Sequence, residues 1–185
     1  MRRKSTAIAA LLLMLVLLAS ALGIGAYKGW AEEYRQVLDA QSSLVDMLTA
    51  RREVGYNIAT VAKRHISPDD PLLQSIRESL QVLESGESLP RKAAANQRLA
   101  ADAQQVLTKL ESLSSVQNDE RDSMYVENLL PQALEQSAQW TQETLYNQRA
   151  LSFNQGLQGS FSGMIARLLG VKEAEFFLPP GEDKP

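Results

Sequence analysis

His65 is the only histidine in the chain, and there is no cysteine. A lone imidazole has no second histidine or thiolate with which to share a zinc ion. The missing thiols also exclude disulfides and cysteine nucleophiles. His65 falls at the end of a helical stretch, where a cation suits the helix dipole, so it reads as structural. Asp69 and Asp70 would make a carboxylate pair for acid–base work. They stand between Pro68 and Pro71, however, and Asp in that setting caps and turns the chain. Ser160 has no base within reach along the sequence. Glu84 and Glu87 belong to a solvated break. No glycine-rich loop precedes a helix in the manner that cradles phosphate. The residues therefore predict a protein that is not an enzyme, with no cofactor and no metal.

Arg51 is of another kind. It falls on an apolar stripe between Leu48 and Gly55, where a charge must be paired or must reach water along its stem. Two readings stay open: it extends to the surface, or it anchors a polar layer with Asn57 and an acid from another helix. A second feature is a repeated dipeptide, Tyr146-Asn147 and Phe153-Asn154, at a seven-residue interval. Seven residues are two helical turns, so both aromatics project from one side, and so do both amides. With Ala150 and Leu157 the aromatics form a 4-3-4 seam suited to coiled-coil-like, left-handed packing. The aromatics would be core and the amides their flank, or the amides would bond across helices and fix register.

The elements that must position these residues are helical throughout. Ala, Leu, Gln, Glu and Ser dominate a chain of 185 residues with 6% aromatics, a helix-former composition sized for one domain. The net charge of −3 offers no basic surface for nucleic acid. Residues 1–5 are basic, and residues 7–27 follow without a charge. A helix of about 20 apolar residues spans the bilayer core, so residues 6–27 read as a transmembrane anchor. Tyr27 and Trp30 would stand at its interface. The rival reading is a cleaved signal peptide with Ala19-Ser20-Ala21 at the cut. Arg2, Arg3 and Lys4 outweigh Lys28 and Arg35, which puts the N-terminus in the cytoplasm and the remainder outside it.

Beyond the anchor, apolar periodicity predicts helices over residues 30–65, 72–83, 91–113 and 126–157, with Pro131 in the first turn of the last. Residues 67–71 and 84–90 break the chain with Pro, Gly and Ser. Residues 114–123 read as a polar loop, and 161–169 as one more short helical piece. No alternating run predicts a strand. The fold class is all-α: an N-terminal transmembrane helix, then an antiparallel up-down bundle of about four helices, the first one long, over residues 28–178. Residues 179–185 read as a flexible tail. Phe161, Met164, Ile165, Leu168, Leu169, Val171, Phe176, Phe177 and Leu178 give the end of the chain more apolar surface than a tail needs. With Arg167 and Lys172 among them, this segment either dips into the lipid interface or folds back as a lid on the core.

The stretch YNQRALSFNQGLQGSFSGMIARLLGVKEAEFF, residues 146–177, resembles the C-terminal signature of the LemA family of bacterial membrane-anchored helical proteins. That signature has a YN, a second aromatic-or-Leu plus Asn seven residues later, and a Gly-aromatic-Lys stretch ending in an aromatic pair. VLDAQSSLVDMLTARREVGYNI, residues 37–58, is similar to the family's N-terminal block, with Asp39-Ala40, Leu48, Arg51, Glu53 and Asn57 in place and Lys63 following. The departures are Tyr56 for a Pro, Gln41 for a Trp, Ser160-Phe161 for a Phe-Pro, and Glu143 for an Arg. Residues 64–135 do not align, so a divergent member is implied.

The resemblance implies a single-pass signal-anchor and an antiparallel bundle, and it implies no activity. The expected role is a non-enzymatic scaffold or interaction protein in the inner or plasma membrane, with its bundle extracytoplasmic. Its expected partners are the lipid bilayer and other membrane or envelope proteins. The alternatives are an extracytoplasmic ligand-sensing bundle and a secreted bundle with a cleaved signal peptide.

Overall fold

The computed structural model describes residues 2–139 and 141–182, with side chains described from residue 10 onward. The basic side chains of Arg2, Arg3 and Lys4, and residues 183–185 of the expected tail, lie outside the described part. Among the described residues there is no strand. The helices are α1 (Arg2–His65), α2 (Pro71–Glu84), α3 (Leu89–Glu111), α4 (Ser114–Gln117) and α5 (Glu120–Met124). A π-helical turn, Tyr125–Leu129, leads into α6 (Leu130–Ala138), followed by α7 (Gln142–Gly159) and α8 (Phe161–Leu168). Two compact units result: Met1–Asp39 with Gln148–Ala174, and Ala40–Asn147 with Glu175–Pro185.

In the second unit, proline sets where the helices start. Pro71 and Pro90 each occupy a first-turn position, where a missing N–H costs nothing. Asp70 caps α2 by accepting from the Leu72 N–H at 3.0 Å. Leu73, Ile76, Leu80 and Leu83 of α2 are buried, as are Leu99, Ala103, Val106 and Leu110 of α3, each stripe recurring at 3–4 residues. Both stripes close on α1 at Gly55. A Cβ there would lie 3.0 Å from Leu99 Cδ1 and 3.1 Å from Leu80 Cδ2, so a glycine lets the leucines reach the helix.

Lys109 of α3 pairs with the capping carboxylate of Asp70. That hydrogen bond holds the Asp70 carboxyl below its usual range, burial opposes it, and the Leu72 N–H assists. A carboxyl depressed in the fold stabilises it above the unfolded-state value, and the benefit is lost as pH falls through the folded value. Asp70→Asn keeps a capping oxygen and removes the charge. The variant is expected to melt below the parent at pH 7, with the gap closing as pH falls toward 2; a gap constant across that range would show that the ion pair contributes nothing.

The expected continuous helix over residues 126–157 is divided. Pro131 lacks the N–H that would bond Glu127, and its ring would crowd that carbonyl. The backbone widens at this point, and the Leu130 N–H bonds the Tyr125 carbonyl five residues back, a π turn. Helix α6 then ends at Ala138, with the Gln139 N–H returned to Glu135 and Gln136. A new helix starts after Thr141, whose carbonyl accepts from the Leu145 N–H. The expected loop over 114–123 is also helical in part. Asp119 caps α5 through the Asp122 N–H at 3.0 Å.

The first unit holds the N-terminal part of α1 with the end of α7 and α8. Among the described residues α1 is the one helix long and apolar enough to cross a membrane. Leu11 to Leu18 are each more than half exposed, so nothing among the described residues covers this stretch.

Candidate functional site

The repeated aromatic–Asn pair has a geometric purpose. Tyr146, Ala150, Phe153 and Leu157 are all buried on one side of α7. Asn147 and Asn154, also buried, do not face another helix. In the second unit Asn147 donates from Nδ2 to the Phe177 carbonyl at 2.9 Å and accepts the Phe177 N–H on Oδ1 at 2.8 Å. In the first unit Asn154 does the same with Ala174, at 2.9 and 2.8 Å. Each carboxamide thereby mimics the edge of a strand, satisfying one residue's donor and acceptor together. Tyr146 donates its hydroxyl to the Glu175 carbonyl at 2.7 Å. The sequence reading of the amides as cross-helix links is therefore corrected. They clamp the backbone of a chain segment that belongs to no helix.

Phe177 is buried in the second unit and Phe176 is half-buried. The two residues thus differ, and Phe177 forms part of the clamped segment, not a free apolar tip. Pro179 is half-buried and Glu182 accepts from Gln97 at 3.3 Å, so the described part of the expected tail lies against α3.

Arg51 is largely buried and has partners on two later elements. Its Nε donates to the Ser137 carbonyl at 3.0 Å, and its Nη1 lies 3.4 Å from Glu143. Asn57 is exposed on α1 and takes no part in this pairing. Arg51 and Glu143 stand at a cavity of about 800 Å³ in the second unit, walled by α1, α3, α6, the start of α7 and the clamped segment.

Sequence reasoning missed what surrounds His65. Asp122 of α5 is wholly buried and receives Arg64 Nη1 at 2.5 Å and His65 Nε2 at 2.8 Å. Ser115 Oγ lies 3.1 Å from His65 Nδ1. With Nε2–H donated to the carboxylate, Nδ1 is left to accept the serine proton, an order inferred from the partners. Serine, imidazole and carboxylate thus stand in line, the arrangement that activates hydroxyls. Here Arg64 already occupies the carboxylate, and the cavity beside Arg51 does not reach Ser115. The row ties the end of α1 to the α4–α5 turn. No sequence signal linked positions 65 and 122, because a polar residue in a break looks alike whether solvated or buried.

In the first unit α8 lies along the apolar part of α1. Trp30 Nε1 donates to Ser162 Oγ at 3.3 Å. Just past the end of α8, Leu169 Cδ1 reaches Gly23, seven residues before Trp30, where even a Cβ would be only 3.6 Å away. The outer face of α8 is bare: Phe161 is 70% and Leu168 82% exposed. Ser160 is the N-cap of α8, accepting from the Gly163 N–H at 3.0 Å.

Compared with known proteins, the chain matches no family model, no curated protein and no solved structure.

Proposed function

We propose that the chain is a single-pass membrane protein, held by an uncleaved signal-anchor, that works without catalysis as a tethered interaction module or scaffold. In this reading the N-terminus is cytoplasmic, the helices after the anchor form an antiparallel up-down bundle outside the inner or plasma membrane, and the protein is a divergent bacterial LemA-like one. Its partners are the bilayer and other membrane or envelope proteins. One observation supports the reading most: Leu169 lies against Gly23, four residues inside the apolar run that ends at Tyr27. Four helical residues are ~6 Å, which is the depth at which interfacial helices sit. The exposed face of α8 is then a lipid-facing surface continuous with the anchor. Left in water, a patch with Phe161, Met164, Leu168 and Leu169 at half exposure or more would be an association liability. Arg167 and Lys172 flank it with charges suited to lipid phosphates. A cut at Ala19-Ser20-Ala21 would leave Gly23 and Trp30 under α8 but remove most of the apolar run with which this surface is continuous.

The absence of cysteine makes the test direct. Leu168→Cys carrying an environment-sensitive fluorophore, in the full chain reconstituted into liposomes, is expected to emit as in an apolar medium. Shallow spin-labelled lipids should quench it. The same label at Gln155→Cys, an exposed position on α7, should emit as in water. Water-like emission from both positions would refute the interfacial placement. A topology reporter after Pro185, read with the apparent mass of the membrane-bound protein, tests the orientation and the intact anchor.

A further inference from the structure

The first unit holds a smaller pocket of about 300 Å³, lined by Tyr27, Ala31 and Tyr34 of α1 and by Gly170, Val171 and Lys172. Residues 27, 31 and 34 recur at intervals of four and three, so they share one face of the helix. The other wall comes from the way α8 ends. Gly170 takes φ +95°, a conformation that suits glycine. Its N–H returns to the Arg167 carbonyl and the Val171 N–H to the Ala166 carbonyl, both at 3.0 Å. This Schellman closure turns the chain and sets Val171 and Lys172 beside the two tyrosines. No carboxylate lines the pocket. Among the described residues Lys172 forms no ion pair, and neither tyrosine hydroxyl has a hydrogen-bond partner. The pocket also has a defined height. Tyr27 closes the run without charge, and Leu169, the residue before Gly170, lies against Gly23 within that run. An exposed lysine alone would make no site. This one stands with two phenols at the end of the apolar span, which in the interfacial reading is the level of lipid headgroups.

We propose that this pocket seats the phosphate of an anionic phospholipid headgroup, phosphatidylglycerol being the simplest case. The inference rests on the interfacial placement of α8 and names the lipid that this placement selects. A phosphodiester is an acceptor with one negative charge, and an ammonium with two phenols supplies donors to match it. A glycerol headgroup brings no cation of its own. A phosphocholine headgroup would bring a second cation to a pocket whose one charged residue is already positive, with no carboxylate to receive it. The acyl chains leave the pocket toward Gly23 and the apolar span. A free phosphate ion could make the same polar contacts but has no chains to hold it there, so the lipid is the occupant.

The test uses the full chain in an uncharged detergent, with bound lipids counted by native mass spectrometry. The probes are phosphatidylglycerol and phosphatidylcholine with the same acyl chains, and glycerol 1-phosphate supplies the anion without chains. Phosphatidylglycerol is expected to bind about tenfold more tightly than phosphatidylcholine, the difference a hydrogen bond to a charged group supplies. Glycerol 1-phosphate should not displace it. Lys172→Gln should abolish the preference and leave the melting temperature unchanged, because the side chain is exposed and unpaired. Lys28→Gln removes an exposed cation next to Tyr27 that does not line the pocket, and it should leave the preference intact. The inference is overturned if the parent binds both lipids alike, if Lys172→Gln keeps the preference, if Lys28→Gln lowers it as much as Lys172→Gln does, or if glycerol 1-phosphate displaces the lipid. The fluorophore at Leu168→Cys in liposomes separates this failure from that of the reading beneath it. Water-like emission there fails both, whereas apolar emission together with any of these results fails the pocket alone.

Discussion

Phe153→Ala is expected to destabilise the first unit by about 3–5 kcal/mol, the range for emptying a buried aromatic site. The ring is 4% exposed. Trp30 meets it edge-on with centroids 5.7 Å apart, and Tyr34 meets it tilted at 5.4 Å. Such pairs contribute ~0.5–1.5 kcal/mol each beyond burial. The vacated space cannot close easily. Trp30 is held on one side by its bond to Ser162 and on the other by Gly156, where a Cβ would already lie 2.8 Å from Trp30 Cη2. Phe153→Leu should lose less, because much of the volume remains. Native-state hydrogen exchange on the full chain in detergent reads the effect locally: amides of the end of α7 should open more readily by the stated amount, and those of α2 and α3 should not change. A loss below about 1 kcal/mol would show that the ring is not core.

The parts of this fold that sequence makes legible are those decided by local chemistry. Pro71, Pro90 and the Ser-Gly-rich break before it set helix starts that no distant contact can override. The 3–4 spacing of Leu73, Ile76, Leu80 and Leu83 declares a buried face before any partner is known. The seven-residue interval of the aromatic–Asn pairs likewise announces a repeated geometry. Its partner was not legible, because Ala174 and Phe177 contribute only backbone, and a backbone group carries no residue type. The break after Ala138 was hidden for a related reason: neither Gly nor Pro stands there, and Gln139 and Thr141 are tolerated inside helices. The cavity was invisible in sequence since its polar residues come from segments far apart in the chain. Arg51 was a partial exception: a charge on an apolar stripe, for which an acid on another helix was one of two open readings. Glu143, noted only as a departure from a family pattern, is that acid.

Asn154→Asp tests the clamp by changing one atom. The asparagine gives Ala174 an acceptor and a donor together, at 2.8 and 2.9 Å. An ionised aspartate keeps the acceptor and turns an oxygen toward the Ala174 carbonyl, so a donor–acceptor contact becomes two facing lone pairs in a buried site. At neutral pH the variant should lose about 2–4 kcal/mol, one charged mismatch plus one lost bond. Protonation restores an O–H donor to the same place and removes the charge, so the folded state raises the affinity of that carboxyl for its proton. An acid whose folded value lies above its unfolded one is stabilised as pH falls, and the loss should shrink through the range from neutral to about pH 4. Asn154→Ala is the control: it forfeits both bonds, about 2–3 kcal/mol, with no such recovery. Comparing the two variants with each other cancels the titration of neighbours such as Glu173, which accepts from Gln158 at 2.8 Å. Melting curves of both full-length variants between pH 4 and 7.5 should therefore converge or cross in acid. Parallel curves across that range would mean that the carboxamide does not pair with the Ala174 backbone.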